Sequence, residues 1–221
     1  MTIAERIAKI RASLPESVRL VAVSKQVSAD AIREAYAAGI RDFGENRIQE
    51  AEGKQDQLAD LSDINWHLIG HLQSNKAKRA VERFSWIHSV DSLKIAQRLD
   101  RLAAPLSVKP QVCLQVKIFK DPNKYGWQIP KLLADLPALN QCENLQIKGL
   151  MAIPPSGLAE SETFALFDRA RELAEDIEQQ HWSHISMQEL SMGMSGDYHL
   201  AVKAGATMVR LGTILFGKRS P

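Results

Sequence analysis

The stretch Val18-Arg19-Leu20-Val21-Ala22-Val23-Ser24-Lys25 decides the fold. It is an apolar run rich in β-branched residues, which predicts a buried strand, and it ends in a single lysine. Ser28 and Asp30 follow as the expected N-cap and first turn of a helix. Lys25 is therefore predicted to lie where a buried strand enters the loop before a helix. In a parallel α/β protein, ligands bind at that end of the strand.

Lys25 has two interpretations at this point. Its amine is either a solvated charge that finishes the strand, or a partly desolvated nucleophile that attacks a carbonyl and forms a Schiff base. The stretch alone favours the solvated charge, so the choice depends on the rest of the chain.

Strand and helix patterns alternate along the whole chain. Strands are predicted at 18–25, 40–46, 65–71, 85–90, 112–116, 147–153, 187–192 and 207–211, and the segment 119–128 is predicted to be a loop. Helices are predicted at 3–14, 28–38, 48–61, 74–84, 92–102, 129–139, 164–177 and 198–204. The alternation favours parallel strands and a (β/α)8 TIM barrel forming a single domain over residues 1–221. A doubly wound open sheet is the rival fold, but it usually needs fewer strands.

Composition excludes several classes of protein. The net charge of only +2 does not suggest nucleic acid, and no apolar stretch is long enough to span a bilayer. The N-terminal segment carries Glu5 and no apolar core, so we expect that it is not a signal peptide. Cys113 and Cys142 lack metal or redox spacing, which favours buried thiols in a reducing compartment. We therefore expect a cytoplasmic protein with no membrane and no nucleic-acid partner.

Two glycine-containing loops follow the last two predicted strands. They are Gly193-Met194-Ser195-Gly196-Asp197 and Gly212-Thr213. Both supply unobstructed backbone N–H groups before helical segments, and Ser195 and Thr213 add hydroxyl donors. Either loop alone could be an ordinary turn. The phosphate site of a TIM barrel usually lies in these two loops, so with a lysine after the first strand they predict a phosphorylated carbonyl ligand.

Arg210 lies inside a predicted strand of apolar residues. Buried arginines almost always have a partner. Arg210 either forms a structural ion pair, with an acid such as Glu189 or Glu45, or points its guanidinium into the barrel mouth. The sequence leaves both interpretations open.

Two further patterns favour a structural explanation. His67 and His71 have a spacing that suggests a metal site on a helix, but the segment has the pattern of a strand and a turn. We therefore predict no metal there and expect His67 to pack inside the barrel. The basic run 76–79 is interpreted as a solvated helix face, because it lacks the stacking aromatics of a nucleic-acid site.

Short motifs spread over nearly the whole chain form one specific pattern. They are Ala22-Val23-Ser24-Lys25, Phe43-Gly44-Glu45-Asn46, His67-Leu68-Ile69-Gly70-His71-Leu72-Gln73 with Asn75-Lys76, Gly149-Leu150-Met151-Ala152-Ile153-Pro154, Met192-Gly193-Met194-Ser195, and Val209-Arg210-Leu211-Gly212-Thr213 with Phe216-Gly217. This pattern resembles the pyridoxal-phosphate homeostasis protein family, the single-domain relative of the alanine-racemase barrel. The resemblance implies a TIM barrel of fold type III that binds pyridoxal 5′-phosphate (PLP) as its cofactor.

The resemblance also implies roles for particular residues. Lys25 matches the Schiff-base lysine of the family, Asn46 an asparagine near the cofactor ring, and Arg210 the arginine that faces the pyridine nitrogen. The phosphate contacts of the family match Ser195, Gly212 and Thr213, and the methionines that line the site in similar proteins match Met151 and Met192.

The chemistry of PLP agrees with this assignment. PLP is a phosphorylated aldehyde that needs an amine, an anion cradle and a partner for its ring nitrogen. Arg210 cannot readily give a proton to that nitrogen. The ring should therefore stay largely unprotonated and be a poor sink for carbanion charge, which argues against transamination and decarboxylation.

Two functions remain in competition. The first is a non-catalytic monomer that holds PLP, limits the free aldehyde, passes it to apo-PLP enzymes and acts in vitamin B6 and amino-acid or keto-acid homeostasis. The alternative is a PLP-dependent amino-acid racemase. Related racemases need a tyrosine from an additional β-domain, and we expect no room for that domain before Pro221. The tyrosines present, Tyr36, Tyr125 and Tyr198, lie in no known catalytic motif. The loop 119–125 is the candidate for a lid over the site.

Overall fold

The structure, a computed structural model, describes residues 1–119, 121 and 124–217, and its centre is a ring of parallel strands. The strands of the ring are β1 (Arg19–Val23), β2 (Asp42–Glu45), β3 (Asn65–Leu68), β4 (Trp86–Val90), β5 (Gln111–Lys117), β6 (Gln146–Met151), β7 (Ile185–Ser191) and β8 (Met208–Leu211). Each strand pairs in parallel with the next, and the pairing of β8 with β1 closes the ring. The predicted (β/α)8 TIM barrel is thereby confirmed, and the open sheet is excluded.

Helices lie on the outside of the ring. They are α1 (Ile3–Ser13), α2 (Ala29–Ala37), α3 (Ile48–Gln57), α4 (Ala77–Arg83), α5 (Leu93–Ala103), α6 (Ile129–Leu139), α7 (Glu160–Glu178), α8 (Tyr198–Lys203) and α9 (Thr213–Phe216). Helices α2 to α8 connect consecutive strands, whereas α1 precedes β1 and α9 follows β8. No helix in the described part of the chain is long and apolar enough to cross a membrane.

Local sequence explains how the first βα unit is built. Every residue of β1 after Arg19 is buried, as expected for a β-branched run between the barrel interior and the helices. The side chain of Ser28 accepts a hydrogen bond from the N–H of Ala31 and caps α2, as its position in the sequence predicts. These two features place Lys25 in the short loop at the carboxyl end of β1.

The barrel interior is a separate core from the layer between sheet and helices. Its apolar part is a cluster of Val21, Trp86, Cys113, Met151 and Met208, all with little or no exposure. Polar side chains share this interior, and His67 is fully buried there, as predicted. A buried polar group needs a hydrogen-bond partner, so these side chains are expected to bond one another.

Two segments differ from the sequence interpretation. β3 was predicted over 65–71 but ends at Leu68, because the following residues turn into the loop at the barrel mouth. The segment 119–128 was predicted to be a loop, but Trp127–Gln128 pairs with the end of β5 as a short strand. Lys120, Pro122 and Asn123, which belong to the predicted lid loop, lie outside the described residues.

Candidate functional site

A cavity of about 330 Å³ opens at the carboxyl ends of the barrel strands. Its lining consists of Val23, Lys25, Asn46, Ile69, Ile153, Met194, Ser195, Gly196, Arg210, Gly212 and Thr213. Six of the eight residues expected from the sequence are therefore brought together in one place. The volume is in the range of cavities that hold small ligands.

The two predicted methionines lie elsewhere. Met151 belongs to the apolar cluster inside the barrel, and Met192 is almost completely buried. Neither is among the residues that line the cavity, where Ile153 and the partly exposed Met194 are found instead. Ile153 follows Met151 by two positions, and alternate residues of an extended segment point to the same side, so Ile153 lies one layer nearer the mouth. From the sequence, this spacing indicates only that Ile153 faces the same side as Met151.

A buried lysine supports the loop that carries Lys25. Lys54 of α3 is 8% exposed, and its Nζ donates hydrogen bonds to the carbonyl of Ser24 (2.6 Å), to Glu45 Oε1 (2.8 Å) and to Glu50 Oε1 (2.6 Å). The hydroxyl of Ser24 also donates to Glu45 Oε1, at 2.6 Å. Burial raises the pKa of the Glu45 carboxyl, while the bonds from Lys54 and Ser24 act in the opposite direction.

The residue after Lys25 is held from the same side. Gln26 has a left-handed backbone (φ 57°), and its N–H donates to the carboxylate of Glu50. Both neighbours of Lys25 are thus tied to α3, and Lys25 itself is half-buried. Lys54 was not predicted as a supporting residue from the sequence, although its i,i+4 spacing from Glu50 in a predicted helix indicates an ion pair.

Asn46 occupies the next loop, directly after β2. The loop after β3 packs closely against it, since a Cβ on Gly70 would lie only 2.2 Å from the carbonyl oxygen of Asn46. Glycine is therefore the residue that permits this approach. The contact fixes the Asn46 backbone at the rim of the cavity.

The two predicted anion-binding loops meet at the opposite rim. The N–H of Gly212 donates to Ser195 Oγ at 3.3 Å, which ties the loop after β7 to the loop after β8. Gly193 has φ +90°, and a Cβ there would lie 2.6 Å from Ala201 Cβ, so no other residue fits. Thr213 begins α9 and lies beside Gly212 in the cavity lining. Backbone N–H groups and hydroxyls in this arrangement suit an anion such as a phosphate.

Arg210 reaches the cavity from β8 and is 3% exposed. Its Nη1 donates to Ser191 Oγ (2.6 Å) and its Nη2 to the carbonyl of Ala152 (3.2 Å). The guanidinium carries more N–H donors than these two bonds use. Burial lowers the pKa of Arg210 to about 10, so it remains a cation at neutral pH.

The ion-pair interpretation of Arg210 is wrong for both acids considered. Glu189 accepts hydrogen bonds from Arg19 (3.5 Å) and from the Thr207 hydroxyl (2.6 Å), and Glu45 pairs with Lys54. Among the residues that the structure describes, no carboxylate forms an ion pair with Arg210. A buried cation without a counter-ion, aimed at a cavity, is suited to a ligand that carries acceptor atoms.

The histidines at the barrel mouth and interior have protein partners. His67 bonds Asp42 and His88 inside the barrel, whereas His71 lies 3.1 Å from Asp91 and stacks on Tyr125 with ring centroids 3.5 Å apart. Within residues 1–119, 121 and 124–217, no group of three or more metal-ligating side chains is placed to hold a metal ion.

The chain resembles proteins of known name over nearly its whole length. A family described as "Alanine racemase, N-terminal domain" matches residues 1–220. A protein of Synechocystis sp. named pyridoxal phosphate homeostasis protein is 56% identical over 211 residues, which cover 96% of each chain. A protein of the same name from Pseudomonas aeruginosa is 48% identical and covers 99% of this chain and 96% of its own length.

A solved structure is also similar to this chain over nearly its whole length. The structure of PipY from Synechococcus elongatus with PLP bound superposes with a TM-score of 0.94 at 56% identity, over 98% of this chain and 100% of that chain. The fold and the order of its elements are thus shared with a protein whose cofactor has been observed.

Proposed function

Because the chain belongs to the pyridoxal phosphate homeostasis protein family, within the broader group named for the alanine racemase N-terminal domain, we propose that it binds PLP through a Schiff base to Lys25. Ser195, Gly212 and Thr213 hold the phosphate in this proposal. Asn46 and Arg210 hold the ring. The relatives that carry the family name, and PipY with PLP bound, support the choice of ligand.

One observation carries the proposal. A single cavity combines a lysine on a braced loop, two hydroxyl-bearing loops tied by the Gly212–Ser195 hydrogen bond, and the buried cation Arg210 without a described counter-ion. PLP offers a complementary group to each of them: an aldehyde, a phosphate and a ring nitrogen that accepts a hydrogen bond. The apolar side chains of Val23, Ile69 and Ile153 complete the walls for a flat ring.

The residues favour retention of the cofactor over turnover. When bound, PLP supplies an electrophilic carbon and a ring that can withdraw electrons. Arg210 donates hydrogen bonds but keeps its proton at neutral pH, so it leaves the ring nitrogen unprotonated and limits electron withdrawal. We infer a monomeric cytoplasmic protein that stores PLP, supplies it to apo-PLP enzymes and acts in amino-acid and keto-acid homeostasis without robust catalysis of its own.

An amino-acid racemase is the alternative function. It would need a second acid–base group on the face of the ring opposite Lys25. Tyr125 lies at the barrel mouth and stacks on His71, but none of Tyr36, Tyr125 and Tyr198 is among the residues that line the cavity. The geometry therefore favours the homeostasis function.

Borohydride reduction followed by peptide mapping tests the attachment. We expect the pyridoxyl group on Lys25, and a loss of the visible absorption band in the Lys25→Ala variant. Lys117→Ala is the matched control, because Lys117 ends β5 at the same end of the barrel. Modification chiefly at Lys117 would overturn the site. Amino-acid racemisation that depends on Lys25 would favour the alternative function.

A further inference from the structure

A continuous chain of hydrogen-bonded polar side chains, all buried except the partly exposed Asp42, crosses the interior of the barrel. Asp42 Oδ1 lies 2.9 Å from His67 Nε2, His67 Nδ1 lies 2.8 Å from His88 Nε2, and His88 Nδ1 lies 2.6 Å from Ser191 Oγ. Ser191 Oγ in turn accepts from Arg210 Nη1 at 2.6 Å. Asp42 begins β2 at the end of the barrel opposite the cavity, whereas Arg210 lines the cavity.

With both histidines neutral, only one direction of hydrogen bonding satisfies every link. Arg210 can only donate, so Ser191 Oγ accepts from it; the carboxylate of Asp42 can only accept, so His67 carries its proton on Nε2. A neutral His67 then accepts at Nδ1 from the Nε2–H of His88. The Nδ1 of a neutral His88 accepts the remaining hydroxyl proton of Ser191. Both histidines are therefore assigned as neutral Nε2–H tautomers.

The surroundings keep both histidines neutral. Both rings are fully buried, and burial lowers the pKa of each. The pKa of His88 is lowered further by His67, Arg210 and Arg19, whereas the hydrogen bond to Asp42 opposes the change at His67. Among the described residues, Glu189, which pairs with Arg19, raises the pKa of His67, and the buried thiol of Cys113 lies in the apolar cluster of the same interior.

We propose that Asp42, His67, His88 and Ser191 are positioning residues that orient the Arg210 guanidinium toward the cofactor and connect its charge to a carboxylate at the far end of the barrel. In such a chain each donor polarises the next acceptor, so Ser191 Oγ becomes a stronger acceptor for Arg210. None of the four lines the cavity. The inference rests on the proposed function, because the orientation of Arg210 matters only if its free N–H groups meet the ring.

The direction of the chain can be tested in the cofactor-free protein. NMR of isotope-labelled histidine should show Nε2–H tautomers for His67 and His88 in the parent, and a mixture of tautomers in Asp42→Ala. Asp42→Asn retains an acceptor oxygen and should restore the parent pattern. Glu189→Gln is the matched control, since it removes a carboxylate near the barrel interior that does not belong to this series of hydrogen bonds. An Nδ1–H tautomer or an imidazolium in the parent overturns the proposal.

The effect on the cofactor site has a separate readout. Ser191→Ala should weaken PLP binding on the order of tenfold or more, because Arg210 loses a charge-assisted hydrogen bond, and should shift the absorption of the bound cofactor. Ser186→Ala on the same strand is the control, since Ser186 Oγ has no hydrogen-bond partner within the described residues. Asp42→Ala should shift binding and absorption in the same direction, and Asp42→Asn should reverse the shift.

The outcomes separate this proposal from the proposed function. The positioning role is overturned if PLP binding and absorption remain at parental values in both Ser191→Ala and Asp42→Ala. It is also overturned if Ser186→Ala loses as much PLP affinity as Ser191→Ala. A lower unfolding temperature with unchanged binding and absorption means that the chain is structural only, and this also overturns it. A parent protein that binds no PLP refutes the proposed function and the positioning role together, whereas the tautomers still decide the direction of the chain.

Discussion

Replacing Lys54 by methionine tests the support beneath Lys25. The change removes a buried cation and leaves the Glu45 carboxylate, which has no exposure, without an ion pair. Glu45 Oε2 already lacks a hydrogen-bond partner among the described residues, so only the Ser24 hydroxyl would remain on Glu45 Oε1. Glu50 also loses a contact, but its side chain is 26% exposed and can be solvated.

The magnitude follows from this burial. Breaking a buried ion pair by removing one partner costs about 3–5 kcal/mol, because the other charge stays buried. The Ser24 bond persists, so we expect about 3 kcal/mol of lost unfolding free energy for Lys54→Met at neutral pH. Lys78→Met is the control, since Lys78 is 72% exposed and lies 3.8 Å from Glu82. Such an exposed pair contributes about 1 kcal/mol or less.

Urea unfolding of parent and variant at two pH values is the assay. Burial already raises the pKa of Glu45, and removal of Lys54 raises it further. A carboxyl whose folded pKa exceeds its unfolded value contributes stability at low pH that is lost as the pH rises through the folded pKa. The deficit of Lys54→Met should therefore be larger near about pH 8 than near about pH 5.

Three results would refute this account. A cost below about 1 kcal/mol would mean that the pair is effectively solvated. A deficit that does not change with pH would mean that the Glu45 charge is not its source. A double variant, Glu45→Gln with Lys54→Met, should recover part of the stability, because no buried charge remains. If the double variant recovers no stability, the unpaired Glu45 charge is not the source of the loss in Lys54→Met.

Three further predictions concern the interior and the phosphate loops. Burial lowers the pKa of both His88 and His67, so unfolding free energy should fall below roughly pH 6.5 in urea titrations, with about 1.4 kcal/mol per pH unit coming from His88 and therefore missing in His88→Gln. Ser195→Ala combined with Thr213→Ala should weaken PLP binding by about 1.5–3 kcal/mol per lost bond without affecting pyridoxal, and equal losses for both ligands would contradict the phosphate assignment. Gly193→Ala should destabilise the protein by at least about 1 kcal/mol and release PLP, whereas Gly53→Ala in α3, where a Cβ meets open space away from the cavity, should do neither.

The sequence by itself determined the elements and the end of the barrel at which the site lies. The β-branched run before Lys25, the cap at Ser28 and the glycine loops are local signals, since each depends on backbone preferences within a few residues. Strand patterns alternate with helix patterns eight times along the chain, and this alternation leaves few arrangements besides a closed parallel barrel. Six of the eight expected site residues accordingly line one cavity.

The partners of the buried polar groups were decided by the tertiary structure alone. The sequence suggested Glu45 or Glu189 as the acid beside Arg210, yet Arg210 bonds Ser191 and the backbone of Ala152 instead. The sequence contained no indication of the link between His88 and Ser191, which lie 103 positions apart.

The physical reason lies in ring closure. Which inward-facing side chains meet across the barrel depends on the register and tilt of strands that are distant in sequence, and on the layer each residue occupies. Periodicity indicates that Met151 and Ile153 face the same side, but only the closed ring places Met151 in the interior cluster and Ile153 at the cavity. Hydrogen bonds require partners within about 3 Å, so no local pattern in the chain could assign them.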